Sequence, residues 1–164
     1  MSKRNVLHYP HSVLRKRCEP ITDINEEIIQ LAGDMAETMY ADKGVGLAAP
    51  QIGVSRQLFV GDIGDGLLVL INPEITIAEG SGLMEEGCLC LPGLTVDVKR
   101  NAQVQVKGFD LKGKPVTFDA DDFLARMFQH EIDHLHGNLI IDRVSKVKRD
   151  LVLKKYKKLQ QEKD

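Results

Sequence analysis

Cysteine is scarce, long apolar runs are missing and net charge is almost absent. Three cysteines in 164 residues cannot form a disulfide scaffold. Unpaired thiols fit a reducing compartment, so a cytoplasmic location is expected. No apolar run approaches 18 residues, and no signal-like apolar segment follows the start. A membrane-spanning helix is therefore not expected. Neither an internal repeat nor a low-complexity linker interrupts the chain. The length suits one domain over 1–164 with its own core. With 43% hydrophobic residues, 28% charged residues and a net charge of -2, the composition is that of an ordinary globular protein.

One segment is rich in chemistry. His130-Glu131-Ile132-Asp133-His134 places two imidazoles four residues apart, on the same face of a helix. Such a pair can grip one metal ion, and the glutamate between them is free to serve as a base. The surrounding pattern predicts a helix from Asp119 to Gly137. Asp119, Asp121 and Asp122 put negative charge in its first turn. Gly137 can take the left-handed conformation that stops it. Phe123, Met127, His130 and His134 follow a 0, 4, 7, 11 spacing, and Leu124, Phe128, Glu131 and Leu135 repeat it. The helix is thus expected to be buried over a wide face. Two buried imidazoles flanking a carboxylate are costly without a metal. His136 points away and reads as a surface residue.

A catalytic site of this kind needs a third protein ligand and one open position. No histidine follows His136. The downstream acidic candidates are Asp142, Asp150, Glu162 and Asp164. Upstream, Cys88 stands out as a strong ligand for a borderline-soft metal, with the permissive Gly87 beside it. Cys90 would share the Cys88 face in an extended strand, so spacing alone leaves either as the ligand. A disulfide between near neighbours on a strand fits the required geometry badly. Cys18 reads as packing.

A third stretch, Gly44-Val45-Gly46-Leu47-Ala48-Ala49-Pro50-Gln51-Ile52-Gly53, precedes these two. GVGLAAPQIG, EEGCLCLPG and QHEIDHLHG in this order resemble the peptide deformylases, over roughly Val6 to Ser145. One departure is Cys90, where that family usually has serine. The resemblance implies a hydrolase that removes the N-formyl group from the formyl-methionine of newly made polypeptides. It implies metal ligands Cys88, His130 and His134, with Glu131 as catalytic acid and base. Gln51 and the backbone N–H of Leu89 would donate to the substrate carbonyl oxygen. Gly44 to Gly46 and Glu86 to Leu89, Gly87 included, would line a peptide groove. The implied cofactor is one divalent ion, Fe2+ in cells, with Zn2+, Ni2+ or Co2+ able to replace it.

These residue types suit the reaction. A divalent ion draws the pKa of water to about 7, and a neighbouring carboxylate can carry the proton to the departing amine. Donors aimed at the developing oxyanion each lower the barrier by about 3 kcal/mol. Formyl-methionine needs an apolar pocket, for which Val45, Leu91, Phe123 and Met127 are the candidates. An extended peptide could pair with backbone as an added strand. Two other readings compete. One is a metallopeptidase cutting internal amide bonds. The other is a structural metal site with Cys90 as fourth ligand.

The fold expected is α+β, with small mixed or antiparallel sheets around the central histidine helix. An N-terminal helix is predicted from Ile24 to Tyr40, with Asp23 and Glu26 as a capping box and Ile28, Leu31, Met35 and Met39 as its buried stripe. Strands are expected near Gln57–Val60 and Leu67–Ile71. A hairpin should hold Val104, Val106, Val116 and Phe118, turning at Asp110–Pro115. Residues 145–164 carry eight Lys/Arg against three Asp/Glu. They read as a basic helix capped by Ser145, with Val147, Leu151 and Leu159 inward. A weak contact with ribosomal RNA is one use for that charge.

Overall fold

The computed structural model describes residues 2–162 and has the expected α+β architecture. The order is α1 (Glu26–Ala41), β1 (Gly46–Ala48), β2 (Leu58–Gly61), β3 (Leu68–Glu79), β4 (Gly82–Gly87), β5 (Thr95–Arg100), β6 (Gln103–Phe109), β7 (Pro115–Asp121), α2 (Asp122–Leu135) and α3 (Lys146–Glu162). A five-stranded antiparallel sheet runs β1-β2-β3-β6-β7, and β4 and β5 form a separate two-stranded sheet.

Three apolar clusters hold these pieces together. The inner face of α2 sets Ala125, Phe128, Ile132 and Leu135 against Phe59, Leu70, Val104 and Val106 of the large sheet. The predicted stripe of α1 buries Ile28, Leu31, Met35 and Met39 against Leu47, Leu58, Val60 and Ile71. The third cluster joins Leu91, Val96 and Val98 to Leu139, Ile140, Ile141 and Tyr156. The histidine helix thus rests its apolar face on the large sheet, while Arg126, His130 and Asp133 tie it by polar contacts to Glu86, Val98 and Arg100 of the small one.

Local structure departs from expectation at four places. α1 starts at Glu26 because Asn25, not Asp23, accepts the amide of Ile28 at 3.2 Å. α2 starts at Asp122, three residues late. Residues 119–121 instead complete β7, where Phe118 faces Val106 and Ala120 faces Val104. Cross-strand burial outweighs the attraction of acidic residues to a helix start. β3 runs on to Glu79 past Pro73, through register shifts after Ile71. Asn72 takes a φ of 50° there and pins the irregularity by bonding both backbone groups of Ile21 at 2.8 Å.

The fourth departure is in α3. Ser145 Oγ accepts the amide of Lys148 at 3.2 Å, as a cap should. Yet Val147 and Leu151 are 72% and 65% exposed. The inward stripe is Val152, Leu153, Tyr156 and Leu159. Tyr156 decides the rotation, since its hydroxyl donates to the carbonyl of Tyr9 at 3.0 Å while its ring packs edge-on to the Tyr9 ring. Lys163 and Asp164, part of the expected basic helix, lie outside the described residues. Among the described residues no helix is long and apolar enough to cross a membrane.

Candidate metal centre

The helix α2 delivers His130, Glu131 and His134 to one end of a cleft. Cys88 arrives from the other side, in the turn that follows β4. That turn is closed by the Leu91 amide donating to the Cys88 carbonyl at 3.0 Å. One ligand atom from each of Cys88, His130 and His134 lies within 4.8 Å of the other two. Cys88 Sγ is 3.2 Å from His134 Nε2. Tetrahedral ligands at about 2.0–2.3 Å from one ion stand at such separations from each other, so the donor set fits a divalent cation. Of the downstream acids, Asp142 is engaged by Arg15 and the Leu139 amide. Asp164 lies outside the described residues.

The ring of His130 is oriented by a carboxylate. Its Nδ1 meets Glu86 Oε1 at 2.9 Å, which leaves Nε2 free to serve a cation. Glu86 is itself held by two buried guanidinium groups: Arg100 Nε and Nη2 donate to it at 2.6 and 2.9 Å, and Arg126 Nη1 at 2.5 Å. Burial alone would raise the Glu86 carboxyl, but the bonds from His130 and Arg100 hold it at about 2. Arg100 also reaches Asp133 on α2 at 2.8 Å, and Arg143 closes the chain of charges on Asp133. Buried charges at this density persist because each is paired.

The catalytic candidates share this burial. Glu131 is 3% exposed, and its Oε1 has no hydrogen-bond partner. Burial pushes its carboxyl up to about 7. Gln51 accepts the Ala48 amide on Oε1 at 2.8 Å, which aims Nε2 at Cys88 Sγ, 3.6 Å away. The thiol of Cys88 is pushed up to about 11 by the neighbouring Cys90 and by burial. A bound cation reverses that preference, because a coordinating thiol is deprotonated.

The cleft has a volume of about 760 Å³ and is lined by Gly44, Val45, Gly46, Gln51, Glu86, Gly87, Cys88, Leu89, Phe123, Met127, His130 and Glu131. Leu91 does not line it. The turn after Cys88 sends Leu89 into the cleft and Leu91, fully buried, into the third apolar cluster. Cys90 is also buried there and is not part of the ligand cluster. Two structural partners, Arg100 and Arg126, were not anticipated. Arg100 had a signal, since it continues the inward alternation of Val96 and Val98 along β5. A charged residue on the inner face of a strand needs a buried partner.

A family model for polypeptide deformylase matches residues 3–150. The chain belongs to that family. Its relatives include a peptide deformylase of Thermodesulfovibrio yellowstonii, 49% identical over 162 residues, covering 96% of this chain and 98% of the relative. Among solved structures, a peptide deformylase from Legionella pneumophila superposes with a TM-score of 0.94 at 41% identity, covering 99% of this chain and 98% of that one. A peptide deformylase from Synechococcus elongatus in complex with actinonin matches with a TM-score of 0.90 at 39% identity, covering 95% and 87%. Deformylases are metal-dependent hydrolases that remove the N-formyl group from new polypeptides, and this chain is an enzyme of that class.

Proposed function

We propose that Cys88, His130 and His134 hold the divalent cation of this deformylase and that Glu131 moves the proton. What supports the reading is the meeting of three ligand atoms within 4.8 Å, beside a buried carboxylate whose Oε1 is unpartnered. When bound, the cation supplies Lewis acidity and makes water acidic enough to attack at neutral pH. Glu131 accepts the proton of the attacking water and hands it to the departing amine. Formate and a free N-terminus result. The side-chain amide of Gln51 and the backbone N–H of Leu89 donate to the formyl oxygen as it gains charge. One Cys and two His suit Fe2+, Zn2+, Ni2+ and Co2+ alike, and Fe2+ is the cation we assign in the cell on the family resemblance alone, with the other three as substitutes.

The substrate is the formyl-methionine end of a nascent chain. Val45, Phe123 and Met127 give the cleft its apolar wall, with Leu89 in place of Leu91. Gly44 to Gly46 and Glu86 to Gly87 form the groove for the following residues. The single domain works in the cytoplasm. Its basic α3, with Val147 and Leu151 exposed between lysines, is the surface we assign to a weak ribosomal contact. Salt-dependent co-sedimentation lost on removing Lys154 to Asp164 would support that contact, and unchanged co-sedimentation would end it.

The test of the catalytic reading is formate release from formyl-Met-Ala-Ser by wild type and Glu131→Ala, with metal content measured. The variant should keep its metal and lose about 10²–10⁴-fold in turnover. Retained turnover would refute the role of Glu131.

A further inference from the structure

The two sulfurs beside the ligand cluster are closer than two merely adjacent core residues need to be. Cys88 Sγ and Cys90 Sγ are 3.2 Å apart. On a strand this pair would fit a disulfide badly, but Cys88 is not on a strand. β4 ends at Gly87, and the chain turns through Leu89 and Cys90. The turn folds the second sulfur under the first. The two thiols also differ in access. Cys88 is half-buried and lines the cleft, whereas Cys90 is fully buried among Leu14, Leu91 and Tyr156. A small oxidant entering the cleft meets Cys88 first and cannot reach Cys90 without passing it. Cys18 packs in a different cluster, against Phe59 and Phe128, and takes no part.

We propose that Cys90 is a resolving thiol, which converts oxidised Cys88 into a reversible Cys88–Cys90 disulfide when the enzyme meets a hydroperoxide. This rests on the assignment of Cys88 as a metal ligand, because coordination makes its sulfur the thiolate that attacks peroxide. In the first step that sulfur attacks the outer oxygen of the hydroperoxide. The O–O bond breaks, Cys88 becomes a sulfenic acid, and the departing alkoxide or hydroxide takes a proton from solvent to leave as an alcohol or water. In the second step the Cys90 sulfur attacks the Cys88 sulfur. The S–O bond breaks, and the oxygen departs as water with the Cys90 proton. Two electrons pass from the sulfur pair to one peroxide.

The consequence is protection. A sulfenic acid without a nearby thiol proceeds to sulfinic and sulfonic acids, which thiol reductants do not reverse. With Cys90 at hand, the ligand is parked as a disulfide, the cation is released, and reduction restores the donor. A serine at this position could not do this. Position 90 thus separates a recoverable centre from one that is lost on oxidation.

The test uses the metal-loaded full chain, whose metal content is measured before any oxidant is added. A chain that holds no metal at that stage refutes the ligand assignment rather than the disulfide. Hydrogen peroxide is then added, free thiols are blocked with N-ethylmaleimide, and the peptide carrying both residues is weighed. Wild type should lose two hydrogens across Cys88 and Cys90 and release its cation. Most activity should return with dithiothreitol and fresh metal. Cys90→Ser should instead gain oxygen on Cys88 and stay inactive after the same rescue, while Cys18→Ser should behave as wild type. The wild-type peptide mass alone decides the matter if Cys90→Ser folds poorly. Blocked thiols at both positions in inactivated wild type would overturn the proposal, as would equal recovery of Cys90→Ser.

Discussion

Gly46 lies against Glu131 so closely that a Cβ on its backbone would sit 2.3 Å from Oε2. The strand β1 and the helix α2 meet there, and glycine is the residue that lets the carboxylate occupy its place. The glycine-rich stretch is therefore shaped around the buried Glu131 carboxylate, the group we propose moves the proton. Gly46→Ala should displace Glu131 and lower kcat by about 10²-fold while metal content stays near one per chain, because a misplacement of about 1 Å has that order of cost. A variant with unchanged kcat would show that Glu131 tolerates the shift.

Leu89 and Leu91 are two residues apart and should fail in different ways. Leu89 faces the cleft, and Leu91 is fully buried in the third cluster. Leu91→Ala should reduce unfolding free energy by about 2–5 kcal/mol with little change in KM. Leu89→Ala should raise KM for formyl-Met peptides and cost less stability. Urea denaturation and steady-state kinetics on both variants separate these outcomes. A reversal of the two phenotypes would place the pocket wall wrongly.

Glu86 joins His130, one of the three proposed ligands, to the buried Arg100 and Arg126. Glu86→Gln keeps the shape and removes the charge. Its metal affinity, read by competition with a chelator, should fall about 10–100-fold. Its stability should fall by about 3–5 kcal/mol, because Arg126 loses its counter-charge and Arg100 is left with Asp133 alone. Glu85→Gln, one residue away and exposed, should change neither. Equal effects at both positions would remove the ion-pair explanation.

Asp34 ties the N-terminal segment to α1 through the Ser2 amide, Arg4 and Gln30. The Ser2 amide above all, then Arg4 and Gln30, hold its carboxyl below the ordinary 3.8, against the opposing effect of burial. A carboxyl lowered by folding stabilises the protein above its unfolded pKa and stops doing so as pH falls through the folded one. Asp34→Asn should therefore have a lower urea midpoint than wild type at pH 7. The gap should hold down to about pH 4 and shrink only below that. A gap that widens on acidification would contradict the assignment.

Much of the site was legible because its chemistry is local in sequence. His130, Glu131 and His134 sit on one helix, and the spacing of four residues puts both rings on one face. The α1 stripe and the Val104–Phe118 hairpin were legible for the same reason, since period alone defines them. What stayed hidden depends on contacts distant in the chain. What brings Cys88 rather than Cys90 to the histidine pair is a turn whose buried residues, Cys90 and Leu91, pack with Leu139, Ile140, Ile141 and Tyr156. The inward fate of Leu91 follows from that same turn. Arg100 and Glu86 pair across the two-stranded sheet, and no spacing rule joins either to His130. α3 misled because Val147 and Leu151 form a plausible stripe, while Tyr156, a single large residue, outweighs both by reaching Tyr9.

The ligand set itself is tested most directly by X-ray absorption at the metal edge of the loaded enzyme. One sulfur at about 2.3 Å and two imidazole nitrogens at about 2.0–2.1 Å, with the remaining scatterer a light atom, is the result expected for Cys88, His130 and His134 with an open position. Two sulfurs in the shell, or none, would contradict it.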